Sequence, residues 1–209
     1  MKKHLIIFSF ALFFSSNIYG QGFPKIYASA GISMVDDSYL KTYIPFKIKE
    51  QWNFGGFPST FKLGIDFRKQ WILEANYSIN TEKKGKLVNG KILNADRDYM
   101  SYDLQAKYYF GAEKYKIKVL EYVNPFLSFG YGTTTINNIS KSNFVYGLGS
   151  YIWLFKRKDC DCSYLKKRSK DLDIGLLLQS VGKSNLEKPV NSTNPNNHIE
   201  HTASIVVKF

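Results

Sequence analysis

The chain has 209 residues, with 29 Lys and Arg against 17 Asp and Glu and a formal net charge of +12. That length suits one domain, 44% hydrophobic residues is too many for a disordered tail, and two cysteines are too few for a disulfide scaffold. The only long apolar run is residues 5–14, too short to cross a bilayer as a helix.

That run sits behind Lys2, Lys3 and His4 and ahead of the small and polar stretch 15–20. A charged start, a short apolar stretch and small residues predict a signal peptide over 1–20, with the mature domain over 21–209. Ile18 fits the small-residue rule poorly and leaves the cleaved bond open. No Cys follows the cut, so a lipoprotein anchor is not expected.

Eight strands follow in chain order. Period-two alternation of apolar and polar residues predicts them over 25–34, 59–68, 71–80, 99–110, 126–135, 144–155, 171–181 and 199–209. In the second, Phe61, Leu63, Ile65 and Phe67 face one side; Lys62, Gly64, Asp66 and Arg68 face the other. In the last, Ile199, His201, Ala203, Ile205, Val207 and Phe209 oppose Glu200, Thr202, Ser204, Val206 and Lys208. About ten residues is what a tilted strand needs to cross a bilayer, and an even count lets an antiparallel barrel close with both ends on one side. The connections fall at 35–58, 81–98, 136–143 and 182–198 on one side. They fall at 69–70, 111–125 and 156–170 on the other.

The polar face carries Lys25, Lys62, Asp66, Arg68, Glu74, Asp103, Lys107, Asp173, Glu200 and Lys208, five basic and five acidic. On a soluble sandwich such charges would sit in water. In an eight-stranded barrel they fill a narrow lumen, where each must pair or stay wet. The glycines on the same face, Gly64 and Gly130 among them, make room for longer neighbours. The pattern predicts an all-β protein: an eight-stranded antiparallel up-and-down transmembrane β-barrel of a Gram-negative outer membrane, its lumen plugged. Its surroundings are then outer-membrane lipid. The closing strand, ending on Phe209, is the end that barrel-assembly machinery would take up during insertion.

Four segments carry a resemblance to a known family. They are Asn124-Pro-Phe-Leu-Ser-Phe-Gly-Tyr-Gly132, Tyr146-Gly-Leu-Gly-Ser-Tyr-Ile-Trp153, Leu178-Gln-Ser-Val-Gly-Lys183 and Asn197-His-Ile-Glu-His-Thr-Ala-Ser-Ile-Val-Val-Lys-Phe209. Together they resemble the small OmpA-like outer-membrane barrels of Bacteroidetes. The resemblance implies an eight-stranded barrel and no common catalytic residues. In many relatives a peptidoglycan-binding domain follows the barrel. This sequence stops at Phe209, so that tether is not expected.

Three features could carry chemistry. Cys160 and Cys162 stand one residue apart in the 156–170 turn, where the outcomes are a strained disulfide, a link to a partner, a redox pair or ordinary turn cysteines. No metal site is expected, because the nearest His is far along the chain. Lys156, Arg157, Lys158, Lys166, Lys167, Arg168 and Lys170 make the same turn strongly basic, and Lys114, Lys116 and Lys118 add to that side. They form either a docking face for an acidic envelope partner or a solvated turn; nucleic acid is excluded for an exported chain. His201 raises a third feature, the Ser–His arrangement of acyl-chain enzymes, but Ser204 falls on the opposite face of its strand. The expectation is therefore a non-catalytic barrel without cofactors, structural or interactive at the envelope. The alternatives are an accessory subunit of a secretion or assembly machine and, behind it, a lipid-modifying enzyme.

Overall fold

The computed structural model describes residues 25–36, 48–67, 70–88, 91–110, 122–155, 172–186 and 197–209. Its elements are β1 (Lys25–Asp36), a four-residue helix α1 (Ile48–Gln51), β2 (Trp52–Phe54), β3 (Thr60–Asp66) and β4 (Trp71–Glu82). There follow β5 (Leu87–Val88), β6 (Lys91–Ile92), β7 (Arg97–Tyr109), β8 (Val123–Ile136), β9 (Ile139–Phe155), β10 (Asp173–Asn185) and β11 (His198–Lys208).

Each long strand pairs antiparallel with its neighbour, and β11 returns to pair with β1, from Tyr27 opposite Lys208 to Asp36 opposite Ile199. The sheet is therefore closed. Both β2 and β3 lie against β1, opposite residues 34–36 and 25–31 respectively. The amides of Gly55 and Ser59 continue that ladder by donating to the Ser33 and Gly31 carbonyls, at 2.8 Å each. So β2 and β3 form one barrel strand with an outward bulge at Gly55–Ser59, and the barrel has eight strands.

Alternation sets which way each residue faces, as expected. Along β4 and β7 every second residue is buried, and apart from Ile72 and Tyr99 the buried set is polar. The outward set is apolar and open: Leu63 is 58% exposed and Leu148 62%. This is a core turned inside out. Aromatics cluster on the outer surface, with Trp71 against Tyr108 at one level and Tyr77 stacked on Tyr102 at 4.8 Å at another.

The expected strand ends were too short in several places. Strands β8 and β9 meet in a two-residue turn, Asn137-Asn138, so most of the loop expected over 136–143 is barrel wall. Both asparagines are left-handed, with φ of 46° and 65°, a conformation Asn tolerates and two-residue hairpins need. Strand β10 runs on to Asn185 and β11 begins at His198, so residues 182–185 and His198 belong to the wall and not to a loop. The expected loop 35–58 contains α1 and β2, and the one over 81–98 contains the β5–β6 hairpin. The turns expected over 111–125 and 156–170 lie largely or wholly outside the described residues.

Candidate functional site

The inward polar residues form tiers along the lumen. At the end where β1 starts and β11 stops, Lys208 Nζ lies 2.5 Å from Asp66 Oδ2. Asp173 stands opposite Lys208 in the β10–β11 ladder, and Lys25 opposite Asp66 in the β1–β3 ladder. A cavity of about 30 Å³ lies here between Asp66, Tyr109, Asn124, Trp153 and Lys208, room for about two waters.

Glu74 organises the middle tier. It accepts from Lys107 Nζ at 2.7 Å and from the Tyr27 hydroxyl, and Lys62 Nζ lies 3.8 Å away. Lys62 donates to Gln179 Oε1 at 2.6 Å, and Gln179 Nε2 donates to Gln105 at 2.8 Å. Lys107 also stands 4.5 Å from the centre of the Phe126 ring. The Tyr27 ring lies over Gly64, where a Cβ would meet it at 2.2 Å; glycine there makes the space this tier uses.

Lys183 organises the next tier. Its ammonium lies 2.9 Å from Asp103 and 2.6 Å from Glu200, and it also donates to Ser101. The Tyr99 hydroxyl meets His198 Nε2 at 2.9 Å. Closer to the far end, Arg97 pairs with Glu82, and Asn80 Nδ2 donates to the Asn53 carbonyl at 2.9 Å. Gln51 and Asn53 are buried there, so the segment before the bulge helps close the mouth.

The middle tier has two ammoniums and one carboxylate; the next has two carboxylates and one ammonium. Neither balances alone, and stacked they do. All six side chains are essentially buried, and the cost of removing each charge from water is offset by an opposite charge or hydrogen bonds. Sequence reading singled out five of the six. It missed Lys183, although inward Gln179, Val181 and Lys183 continue one alternation into the connection expected over 182–198. Arg68 lies outside the described residues, as do Cys160, Cys162 and the basic cluster Lys156–Lys158 and Lys166–Lys170.

His201 faces outward, and its partner is Ser180, directly across the β10–β11 ladder, with Oγ 2.8 Å from Nδ1. Trp52 of β2 stacks on the imidazole at 4.6 Å and 20°. The Ser180–His201 contact is one a nucleophile and its base require. Yet both residues sit in continuous ladders that occupy the surrounding backbone amides, and the indole covers one face of the base. Among the described residues no three of His, Cys, Asp and Glu converge as a metal site would need.

No family model matches the chain, and no curated protein matches it in sequence. Solved structures do. The N-terminal β-barrel domain of Pseudomonas aeruginosa OprF aligns over 90% of this chain and 100% of its own, at 13% identity and a TM-score of 0.52. The outer-membrane protein OprG of the same organism aligns over 91% and 98%, at 12% identity and a TM-score of 0.51. The outer-membrane enzyme PagL aligns over 88% and 98% at 15% identity, but its TM-score of 0.35 carries no argument about catalysis. At these identities the likeness shows the fold, a closed eight-stranded antiparallel barrel of the kind found in outer-membrane proteins.

Proposed function

We propose that the chain is an outer-membrane β-barrel with a structural or interaction role at the cell envelope, and that nothing passes through its lumen. The carrying observation is the inverted core: a continuous apolar belt outside a closed sheet whose interior holds Lys62, Glu74, Asp103, Lys107, Lys183 and Glu200. In water that belt would far exceed the apolar patches soluble proteins expose. In a bilayer it is what lipid chains require, and closure lets neighbouring strands satisfy one another's backbone groups. Eight strands leave little free lumen, and the tiers of side chains fill it.

The test has two parts. The purified barrel should need detergent or lipid to stay in solution, and should migrate differently on a denaturing gel before and after boiling. A chain soluble without detergent would overturn the membrane reading. In planar bilayers it should give no conductance steps; reproducible open-channel steps would overturn the plugged lumen.

An accessory role in an envelope machine, docked through Lys156–Lys158 and Lys166–Lys170, remains a proposal from sequence. Cross-linking in native membranes tests it, and recovery of the barrel alone would remove it. One observation favours a lipid-modifying reading: the Ser180–His201 contact. A fluorophosphonate probe should then label Ser180 and spare Ser180→Ala; an unlabelled barrel removes the reading.

A further inference from the structure

Among the described residues, the far end of the barrel carries a cluster of lysines on one hairpin and the helix beside it. Asp96 fastens the hairpin of β5 and β6: Oδ1 accepts the Lys84 amide at 2.7 Å and Oδ2 meets Lys83 Nζ at 3.0 Å. The same hairpin is tied to α1 by Lys86, whose ammonium donates to the Lys49 carbonyl. The result is an ordered knob beyond the wall, with Lys49, Lys83, Lys84, Lys86 and Lys91 against Glu50 and Asp96. Lys49, Lys84 and Lys91 are exposed, and the one carboxylate inside the hairpin is already spent on its own backbone and on Lys83.

Two aromatics project outward from the bulged strand beside this knob. Phe54 is 50% exposed and Phe57 69%. In the neighbouring turn, where the Asn137 amide donates to the Asp98 carbonyl, Asn137-Asn138 has no charge, and Lys141 is the nearest cation along its hairpin. Lys183 points into the lumen and is taken by Asp103 and Glu200.

Aromatic rings prefer the boundary between acyl chains and headgroups, and lysines just beyond that boundary meet the headgroup charges. We propose that this edge binds the phosphate-bearing headgroups of the lipid leaflet it meets. Phe54 and Phe57 sink into the boundary, and Lys49, Lys84 and Lys91 contact the phosphates. The barrel thereby gathers anionic lipid beside this hairpin. The inference rests on the membrane reading above.

The experiment reconstitutes the barrel in phosphatidylcholine bilayers with spin-labelled phosphatidic acid or spin-labelled phosphatidylcholine, and compares how much of each associates with the protein. A lysine near an anionic surface contributes about fivefold in partition. The unmodified barrel should prefer phosphatidic acid, more at low salt than at high. A variant with Lys49, Lys84 and Lys91 all changed to Gln should lose that preference, whereas Lys141→Gln should keep it. No preference in the unmodified barrel, or an equal one in the threefold variant, overturns the proposal. Loss of the preference on adding inorganic phosphate at constant ionic strength also overturns it, because the site would then take the free ion. Boiling-dependent gel migration of each variant is read separately: a barrel that never inserts defeats the membrane reading itself.

Discussion

The same chemistry, lysine on carboxylate, stands in two settings of this barrel. In the lumen, Lys107 and Glu74 meet at 2.7 Å with both side chains fully buried. On the outer hairpin, Lys83 and Asp96 meet at 3.0 Å with side chains 56% and 51% exposed. The distances barely differ; the surroundings do. In the lumen no solvent screens a charge that loses its partner, so the pair matters through what its absence would leave. On the hairpin water takes over at once, and the pair serves only to shape a loop. Position in the barrel, more than geometry, decides what an ion pair does.

The sharpest way to break that comparison is Lys183→Met. It leaves Asp103 and Glu200 buried around a missing cation, and a barrel unfolded by urea in lipid should lose about 3–5 kcal/mol of stability. A variant as stable as the original would mean that water already reaches both carboxylates. Glu74→Gln should come next. It strands Lys62 and Lys107, but each keeps Gln179, at 2.6 and 3.2 Å, and Lys107 keeps the Phe126 ring, so the loss should sit near 3 kcal/mol, about the low end for a broken buried pair. A loss larger than that of Lys183→Met would show that the middle tier, and not the one beyond it, holds the lumen together.

Gly64→Ala probes the space and not the charge. Its new methyl meets the Tyr27 ring, so the tyrosine must move and its hydroxyl leaves Glu74. Overpacking of this kind costs about 1–3 kcal/mol. If the double change Gly64→Ala with Tyr27→Phe costs no less than the sum of its parts, the two residues are not coupled and the packing account fails.

How much of this was legible follows from what alternation encodes. It tells which face a residue takes, and that was enough to put Lys62, Glu74, Asp103, Lys107 and Glu200 in the lumen. It does not tell which of them meet. Lys62 and Gln179 are 117 positions apart, and they meet only because closure and stagger bring distant strands to one level. The same limit hid Ser180 as the partner of His201, since the β10–β11 register was not in the local pattern. Two errors had readable signals. Two asparagines between alternating stretches mark a two-residue hairpin, a stronger signal than the polar composition behind the loop expected over 136–143. A Gly-Lys-Ser-Asn run resembles a loop in composition, and that outweighed the alternation ending at Lys183. The bulge at Gly55–Ser59 straddles the end of the connection expected over 35–58, and nothing in that stretch showed that β2 carries the ladder past it.

The smallest effect belongs to the hairpin, and its sign is fixed by the direction in which Asp96 titrates. The Lys84 backbone amide, and then the Lys83 ammonium, hold this carboxyl below its ordinary value of 3.8. A group with a depressed folded pKa contributes order that is fully present above the unfolded value and fades as pH falls through the folded one. Hairpin order should therefore be unchanged from neutral pH down to about 4, and weaken only below that. The Lys84 amide is the reporter: its proton resonance should shift upfield in acid as the carboxylate it donates to is neutralised. Urea stability of the barrel should not follow, because water replaces what the hairpin loses. Asp96→Asn should shift the same resonance at neutral pH and remove its acid transition. An Asp96 that titrates at or above 3.8 would break the contrast from its weaker side, since the outer pair would then lack even the local hold assigned to it.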